Sequence, residues 1–578
     1  MLAAMKVPFL FLAALCPAVA MGKEYFVAQS RAGTPEGNPG TADRPFLTIS
    51  AAVKVAGPGD TVTISSGVYR ESVILRRGGE AGRPVIYQAA PGGEVLIKGS
   101  EIVPNWTRGE AHYMMPAAAN VWHVPAPKLK GRAGAFVFRR EQVFIDGKLV
   151  EQAPTADALK QNTFTVQEAE GKLLLCLPAK DEPARHTIEI STRECLWGSA
   201  EPAGYVVLRG LRFSQGANDP ESLGVSVERC HDWLLEDLEV TWLNGAGVRV
   251  GGSSDCTLRR VRANYNGCTG ISGVGATGLR LEHCQTHFNN QKGYPVGWES
   301  GGVKLLVLKN SLITDHQSCS NAGFGIWLDW ACQSNRVTRC VAIGNTQAGF
   351  NLEASRGPTW VDNCIAAFNG SKDSFWNSGF YGHDSDNLRL AHNLAYGNLG
   401  YGIRLRLLGG RTNNFDGKPV SCRGNRIANN ILCGNGIAGV FLPADGPETG
   451  GNCSNGNLFS PGAAGALEHA PSSDKAWEEF ESRLPAGIVE AGQQFSEPVK
   501  LRSIAVPLGF WQQLTGNDRD STQAVLRLRD PAAADFRPAA GQVIPLGLPL
   551  EKVLAGTPPE TWGTLPWSAD KRNPVGPF

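Results

Sequence analysis

The sequence predicts an all-β chain wound as a right-handed parallel β-helix. Three observations predict it: a repeat of about 23 residues, a glycine excess, and asparagines recurring just upstream of the repeat glycines. From Tyr205 onward one phrase returns: a glycine, an apolar residue, a variable residue, then usually another apolar one. It reads Gly247-Val-Arg-Val, Gly270-Ile-Ser-Gly, Gly302-Val-Lys-Leu, Gly325-Ile-Trp-Leu, Gly349-Phe-Asn-Leu, Gly379-Phe-Tyr-Gly, Gly402-Ile-Arg-Leu and Gly439-Val-Phe-Leu. The spacings are 23, 32, 23, 24, 30, 23 and 37 residues, so the longer coils carry inserted loops. A second landmark keeps the same beat at Cys284, Cys340 and Cys364, with Asn393 and Asn430 replacing cysteine later. Asn244, Asn266, Asn321, Asn345, Asn398 and Asn435 supply turn geometry and amides able to bond to the coil above and below. A unit of two or three short strands cannot bury its own face, so it must stack on its neighbours. A propeller would need about forty residues per blade, and the leucine-rich consensus is absent.

Taken in chain order, residues 1–20 read as an export signal: Lys6, an apolar run from Val7 to Leu15, then Ala18-Val19-Ala20. The protein is therefore expected outside the cytoplasm, periplasmic or extracellular, with no membrane span. Residues 21–105 form the first coils. Here Gly40-Thr-Ala-Asp-Arg-Pro-Phe-Leu-Thr-Ile-Ser50 leads into an amphipathic helix at Ala51–Ala56 with hydroxyl caps nearby. Pro58-Gly-Asp-Thr-Val62, Gly67-Val-Tyr-Arg-Glu71 and Gly93-Glu-Val-Leu-Ile-Lys-Gly99 follow. This opening resembles that of the pectin-lyase-like superfamily of secreted β-helices, in which a helix caps the solenoid. The resemblance implies carbohydrate chemistry without choosing among hydrolases, lyases and epimerases.

Residues 106–199 break the repeat. Ala135-Phe-Val-Phe138, Gln142-Val-Phe-Ile-Asp-Gly147 and Lys172-Leu-Leu-Leu-Cys176 read as hairpins of a β insertion. Residues 200–460 carry the central solenoid. Residues 461–578 read as an irregular cover with one helical candidate, Ser473–Arg483, and a closing phrase at Asp530-Pro and Asp535-Phe-Arg537.

Composition excludes several classes. Glycine supplies 69 of 578 residues against a usual share of about 7%, without the strict period of collagen. Lys and Arg number 55 against 54 Asp and Glu, which argues against a nucleic-acid partner. Without Cys16 thirteen cysteines remain, an odd number, with no C-x-x-C pair and no zinc-like spacing with histidine. Cys340 and Cys364 read as a buried ladder step, and His392 as a turn residue. No metal or other cofactor is expected, and a monomer is.

In stacked strands sequence register becomes spatial columns, with equivalent residues about 4.8 Å apart. The residue after each landmark glycine should point inward, and the second and fourth outward. The second-position column is Arg249, Ser272, Lys304, Trp327, Asn351, Tyr381, Arg404 and Phe441. The fourth is Gly251, Val274, Leu306, Asp329, Glu353, His383 and Arg406. Four ionisable residues on successive coils mark a candidate site.

Asp329 and Glu353 are the expected catalytic pair, since glycoside hydrolysis needs one protonated and one ionised carboxyl and two neighbouring carboxyls drive their pKa values apart. His383 and Asp384 would hold or relay a proton. Lys304, Asn351, Arg404 and Arg406 would bind substrate, beside Trp327 and Tyr381 as flat surfaces for sugar rings. Trp298-Glu299, ending an insertion, would wall the cleft.

The leading expectation is a hydrolase acting on a polysaccharide. The first alternative is a polysaccharide lyase, with Lys304 and Arg404 or Arg406 moving protons and Glu299, Asn351 and Glu353 offering oxygens to Ca²⁺. The second is a carbohydrate-binding protein without catalysis. A structural salt-bridge ladder of Asp329, His383 and Arg406 is the plain alternative to a site.

Overall fold

A computed structural model describes residues 22–29, 37–109, 120–127, 129, 136–372, 374–413, 416–469, 482, 490–496, 499–545, 547–549 and 576–577. The export signal at 1–20 lies outside them, as does the helical candidate at 473–483 apart from Ser482.

Short extended segments alternate with single-residue corners, and the corners make the coil. The corner residue is left-handed: Tyr265 (φ 57°), Phe288 (55°), Ser320 (55°) and Phe368 (56°) each stand immediately before an asparagine. Asn266, Asn289, Asn321, Asn345, Asn369, Asn398 and Asn435 then form one continuous amide ladder with Nδ2–Oδ1 distances of 2.9–3.2 Å. The left-handed strain therefore falls on the residue before the asparagine, and the buried amide satisfies backbone groups that the corner leaves unpaired. A second ladder runs through Asn393, Asn430 and Asn457, continuing the cysteine landmark.

Stacking these coils builds three long parallel sheets. Among the described residues one runs from Glu24–Val27 to Cys453–Asn455, and a second from Val73–Leu75 to Gly465–His469. The third comes in two blocks bridged through Gln285. The winding is that of a right-handed parallel β-helix. Its core holds the inward column Val248, Ile271, Val303, Ile326, Phe350, Phe380, Ile403 and Val440. Each such side chain contributes about 1.5–3 kcal/mol relative to exposure. Cys284, Cys340 and Cys364 belong to the same core, and all thirteen described cysteines are free thiols.

The helix Ile49–Val55 closes the first coil. Thr48 caps it by accepting from the Ala51 N–H at 3.1 Å, and the Glu71 carboxylate accepts from the N–H groups of Ile49 and Ser50. The insertion forms a five-stranded and a four-stranded sheet, mostly antiparallel, around Val143, Phe164, Leu173, Leu175 and Ile188. One reading needs correction there: Phe136–Phe138 is a single 3-10 turn, not a strand. The Phe138 ring is instead engaged with Tyr294 and Trp298 of the solenoid, at 5.6 and 5.7 Å between centroids.

The C-terminal cover is more regular than expected. An antiparallel pair, Glu490–Ser496 and Val499–Val506, extends the second sheet, and a helix at Leu508–Thr515 packs Trp511 onto the last coil. Trp511 Nε1 donates to Asp518 at 3.0 Å. The Asp530 and Asp535 phrase is a small antiparallel pair, Leu528–Asp530 with Asp535–Pro538. No described helix is long and apolar enough to cross a membrane.

Candidate active site

Five strands of the second sheet position the site: Gly301–Leu306, Phe324–Asp329, Phe350–Glu353, Phe380–His383 and Tyr401–Arg406. Their ladders pair Lys304 with Trp327, Trp327 with Asn351, Asn351 with Tyr381, and Tyr381 with Arg404. Leu306 pairs with Asp329, Glu353 with His383, and His383 with Arg406. The two columns thus stand side by side on one face. The landmark glycines allow this stacking: a Cβ on Gly325 would overlap the Gly349 carbonyl, and one on Gly302 the Ser318 hydroxyl.

The face is not open to solvent, contrary to the expectation of an exposed cleft. Asn351, Tyr381 and Arg404 are fully buried, and Glu353, the most exposed of the ten candidate residues, reaches only 9%. The cover comes from loops in the three long-spaced coils. In the first, the Trp298 carbonyl accepts from Lys304 Nζ, and Glu299 Oε1 lies 3.2 Å from the same ammonium. In the second, the Phe375 carbonyl accepts from Arg404 Nη1 at 3.2 Å, and the Phe375 ring lies 4.6 Å from the Arg406 guanidinium carbon. In the third, Arg411 donates to Glu353 Oε1 at 3.0 Å and to Asp384 Oδ2 at 2.8 Å.

Charges in this covered space are sorted rather than merely paired. Burial, and then the charge of Glu353, push the Asp329 carboxyl up to about 8, although Lys304 Nζ stands 3.2 Å away. Burial also works against ionised Glu353, but His383 and Arg411 outweigh it and bring its pKa down to about 2. His383 Nε2 lies 3.1 Å from Glu353 Oε1. Burial opposes the Lys304 ammonium as well, and Asp329 and Glu299 reverse that and hold its pKa above the usual lysine value. One carboxyl therefore keeps its proton near neutral pH while its neighbour one coil on is ionised.

Several buried atoms on this face have no hydrogen-bond partner among the described residues: Asp329 Oδ1, both amide atoms of Asn351, Trp327 Nε1, His383 Nδ1, and Arg406 Nε and Nη1. An unsatisfied buried polar atom costs about 1–3 kcal/mol. Such a cluster, mixing donors and acceptors, suits a polyhydroxylated ligand.

The structure brings Asp329, Glu353, His383, Asn351 and Arg406 together as the columns foresaw. It places Lys304, Arg404 and Asp384 differently. The two cations hold loop carbonyls, and Asp384 accepts from the Leu408 and Gly409 N–H groups at 2.7 and 3.2 Å while binding Arg411. The Trp327 ring carries the Lys304 ammonium 3.7 Å from its centroid, and Tyr381 packs beside Phe375. The salt-bridge ladder through Arg406 does not form, since His383 pairs with Glu353 and no ion pair joins Arg406 to a described residue. Trp298 and Glu299 do line the site, but as part of its cover.

Sequence reasoning missed Arg411, Phe375 and Trp376. Their signal was the excess length of the coils beginning at Gly349 and Gly402. Among the described residues no three His, Cys, Asp or Glu side chains converge as metal ligands. Of Glu299, Asn351 and Glu353, foreseen as oxygen donors to calcium, the two carboxylates each face a cationic side chain, while both amide atoms of Asn351 have no partner among the described residues.

Known proteins agree with the architecture. A family model described as a right handed beta helix region matches residues 223–372. XylC, solved with xylose, superimposes with a TM-score of 0.62 at 18% identity, over 83% of this chain and 89% of that one. The pectate lyase Pel9A aligns over 97% of both chains at 14% identity, but its TM-score of 0.36 is too low to bear on the site. The uncharacterized protein YwoF of Bacillus subtilis (strain 168) is 32% identical over 65 residues, which are 11% of this chain and 14% of that protein. The protein has the fold of a right-handed parallel β-helix.

Proposed function

We propose that this protein is a carbohydrate-active enzyme, and specifically an exported glycoside hydrolase. The observation that carries this reading is the Asp329–Glu353 pair: neighbouring buried carboxyls, one protonated near neutral pH and one ionised. The cluster of unpartnered polar atoms around the pair gives hydroxyl groups something to bind. Similarity in fold to XylC, a protein solved with xylose, is in keeping with a sugar ligand.

Asp329 is the proton donor to the departing oxygen in this reading, and Glu353 the carboxylate that supports the anomeric centre or the attacking water. His383 and Arg411 keep Glu353 ionised, and Lys304 orients Asp329. A lyase would need a base, and Lys304, gripped by Asp329 and Glu299, is poorly suited to accept a proton.

The test is kinetic. Asp329→Asn and Glu353→Gln should each lower sugar release by at least about 100-fold while the circular dichroism spectrum is unchanged. Asp329→Asn should retain more activity on aryl glycosides with good leaving groups, which need little acid help. Full activity in both variants would overturn the reading, and an ultraviolet-absorbing unsaturated product would turn it toward a lyase.

A further inference from the structure

The outer face of the third sheet carries a cavity of its own, on a different sheet from Asp329 and Glu353. It spans the strands Val95–Lys98, Leu211–Ser214, Glu239–Thr241 and Arg262–Asn264. Its volume is about 360 Å³, within the range of ligand sites. Register sets its parts. Arg212, Glu239 and Arg262 pair in line across three coils, and Ser214, Thr241 and Asn264 form a second line beside them. Residues two apart on a strand share a face, so both lines belong to the same cavity. The corner residues Trp242 (φ 58°) and Tyr265 (φ 57°) follow directly and wall it. Lys98 and Gly147, the latter from a hairpin turn of the insertion, complete the lining at the N-terminal end.

The wall is an exposed aromatic stack. Trp242 and Tyr265 lie 5.1 Å apart between centroids at 18°, and Tyr265 and Phe288 4.9 Å apart at 8°. Tyr265 and Phe288 are 37% and 41% exposed, so folding leaves this apolar surface in water. The floor beside it is polar. Thr241 Oγ1 donates to Ser214 Oγ at 3.3 Å, and Asn264 Oδ1 accepts from the His287 N–H at 2.7 Å. The Ser214 hydroxyl proton and the Asn264 amide nitrogen remain as donors for a ligand. Charge is unbalanced here. On the first sheet Arg209, Glu236, Arg259 and Glu282 alternate one for one. On the third sheet Arg212 and Arg262, both about half exposed, share the single carboxylate Glu239, with Glu94 only at 3.9 Å from Arg212, and the next coil offers Gln285. Beneath the same end, Lys98 and Arg70 share Glu189.

We propose that this cavity is a glycan-binding site separate from the carboxyl pair, and that it takes a carboxylated oligosaccharide or a stretch of an acidic polysaccharide. The apolar faces of the sugar rings lie against Trp242 and Tyr265, the hydroxyl groups meet Ser214, Thr241 and Asn264, and the carboxylates meet Arg212 and Arg262. Each half of the ligand answers one observation: rings answer the exposed aromatic wall, and negative charge answers the two guanidinium groups that share one carboxylate. A neutral apolar ligand would leave the arginines unanswered, and a simple anion would leave the wall in water. Binding here breaks no bond and does not depend on the hydrolase reading. In an enzyme of that kind it would hold a polymer on the solenoid between encounters with the carboxyl pair.

The experiment is an equilibrium titration of the mature chain with oligosaccharides of galacturonate, mannuronate and glucuronate. Neutral oligosaccharides of galactose, mannose and glucose of equal length, and polyglutamate, are titrated beside them. At least one acidic oligosaccharide should bind about tenfold more tightly than its neutral counterpart and than polyglutamate. Trp242→Ala and Arg262→Gln should each weaken that binding by about tenfold. The Arg262 side chain is 51% exposed, so its variant tests the site even where loss of the tryptophan disturbs the corner. Equal binding of acidic and neutral chains, equal binding of polyglutamate, or acidic binding unchanged in Arg262→Gln would overturn the proposal. So would the absence of binding to every acidic oligosaccharide. None of these results touches the hydrolase reading, which falls only if sugar release survives in both carboxyl variants.

Discussion

Asp329 and Glu353 lie one coil apart on the same covered face, and their surroundings drive their acidities in opposite directions. Burial and the charge of Glu353 raise Asp329 to about 8. His383 at 3.1 Å and Arg411 at 3.0 Å overcome burial and lower Glu353 to about 2. The pair behaves as a single unit holding one proton across the neutral range.

The pH dependence of stability follows from Asp329. Its pKa in the folded protein lies above the ordinary value of 3.8, so its contribution is fully present below about pH 4 and is lost as pH rises through about 8. Asp329→Asn has no proton to lose. The melting temperature of the variant relative to wild type should therefore climb between pH 4 and pH 8, as read by calorimetry. A constant difference would mean that Asp329 is already ionised in the folded protein.

Arg411 should set the acid limb of activity. Arg411→Ala removes a cation 3.0 Å from Glu353, so the Glu353 pKa should rise and the acid limb of kcat/KM should move to higher pH. Arg411→Lys should restore part of the shift. An unmoved limb in the alanine variant would assign Arg411 to loop anchoring alone.

The insertion should communicate with the site through Phe138. Its ring packs on Tyr294 and Trp298, in the loop whose Trp298 carbonyl and Glu299 carboxylate hold Lys304. Phe138→Ala should loosen that loop and raise KM several-fold while leaving the melting temperature of the solenoid within a few degrees. Unchanged kinetics would show that the loop holds its place without the insertion.

The asparagine ladder should carry much of the stability. Asn345 donates to the Ser318 carbonyl at 2.9 Å and to Asn369, and accepts from the backbone and side chain of Asn321. Asn345→Ala leaves buried groups unsatisfied, each at about 1–3 kcal/mol, so a loss of at least about 2 kcal/mol is expected in chemical denaturation. A loss below about 0.5 kcal/mol would mean that water replaces the amide.

The columns were legible in the sequence because a parallel stack converts a fixed repeat into fixed neighbours. Once Gly302, Gly325, Gly349, Gly379 and Gly402 are aligned, Asp329, Glu353, His383 and Arg406 must lie on consecutive coils. The asparagine corners were legible too, although their left-handed residue proves to be the one before the asparagine, at Tyr265, Ser320 and Phe368. Arg411 was not legible, because a loop has no period and its contacts depend on where the coil below leaves an acidic side chain.

The sequence alone determined the solenoid, its inward column and the row of ionisable residues facing the other way, since these depend only on register and on the alternation of side chains along a strand. Tertiary structure decided what that row is for. Only when the loops following Gly270, Gly349 and Gly402 fold back does the row become buried, with Lys304 and Arg404 drawn into holding the cover and Asp329 and Glu353 left to divide one proton. Loop closure removes water from the columns, and without water each charge is governed by its nearest neighbours.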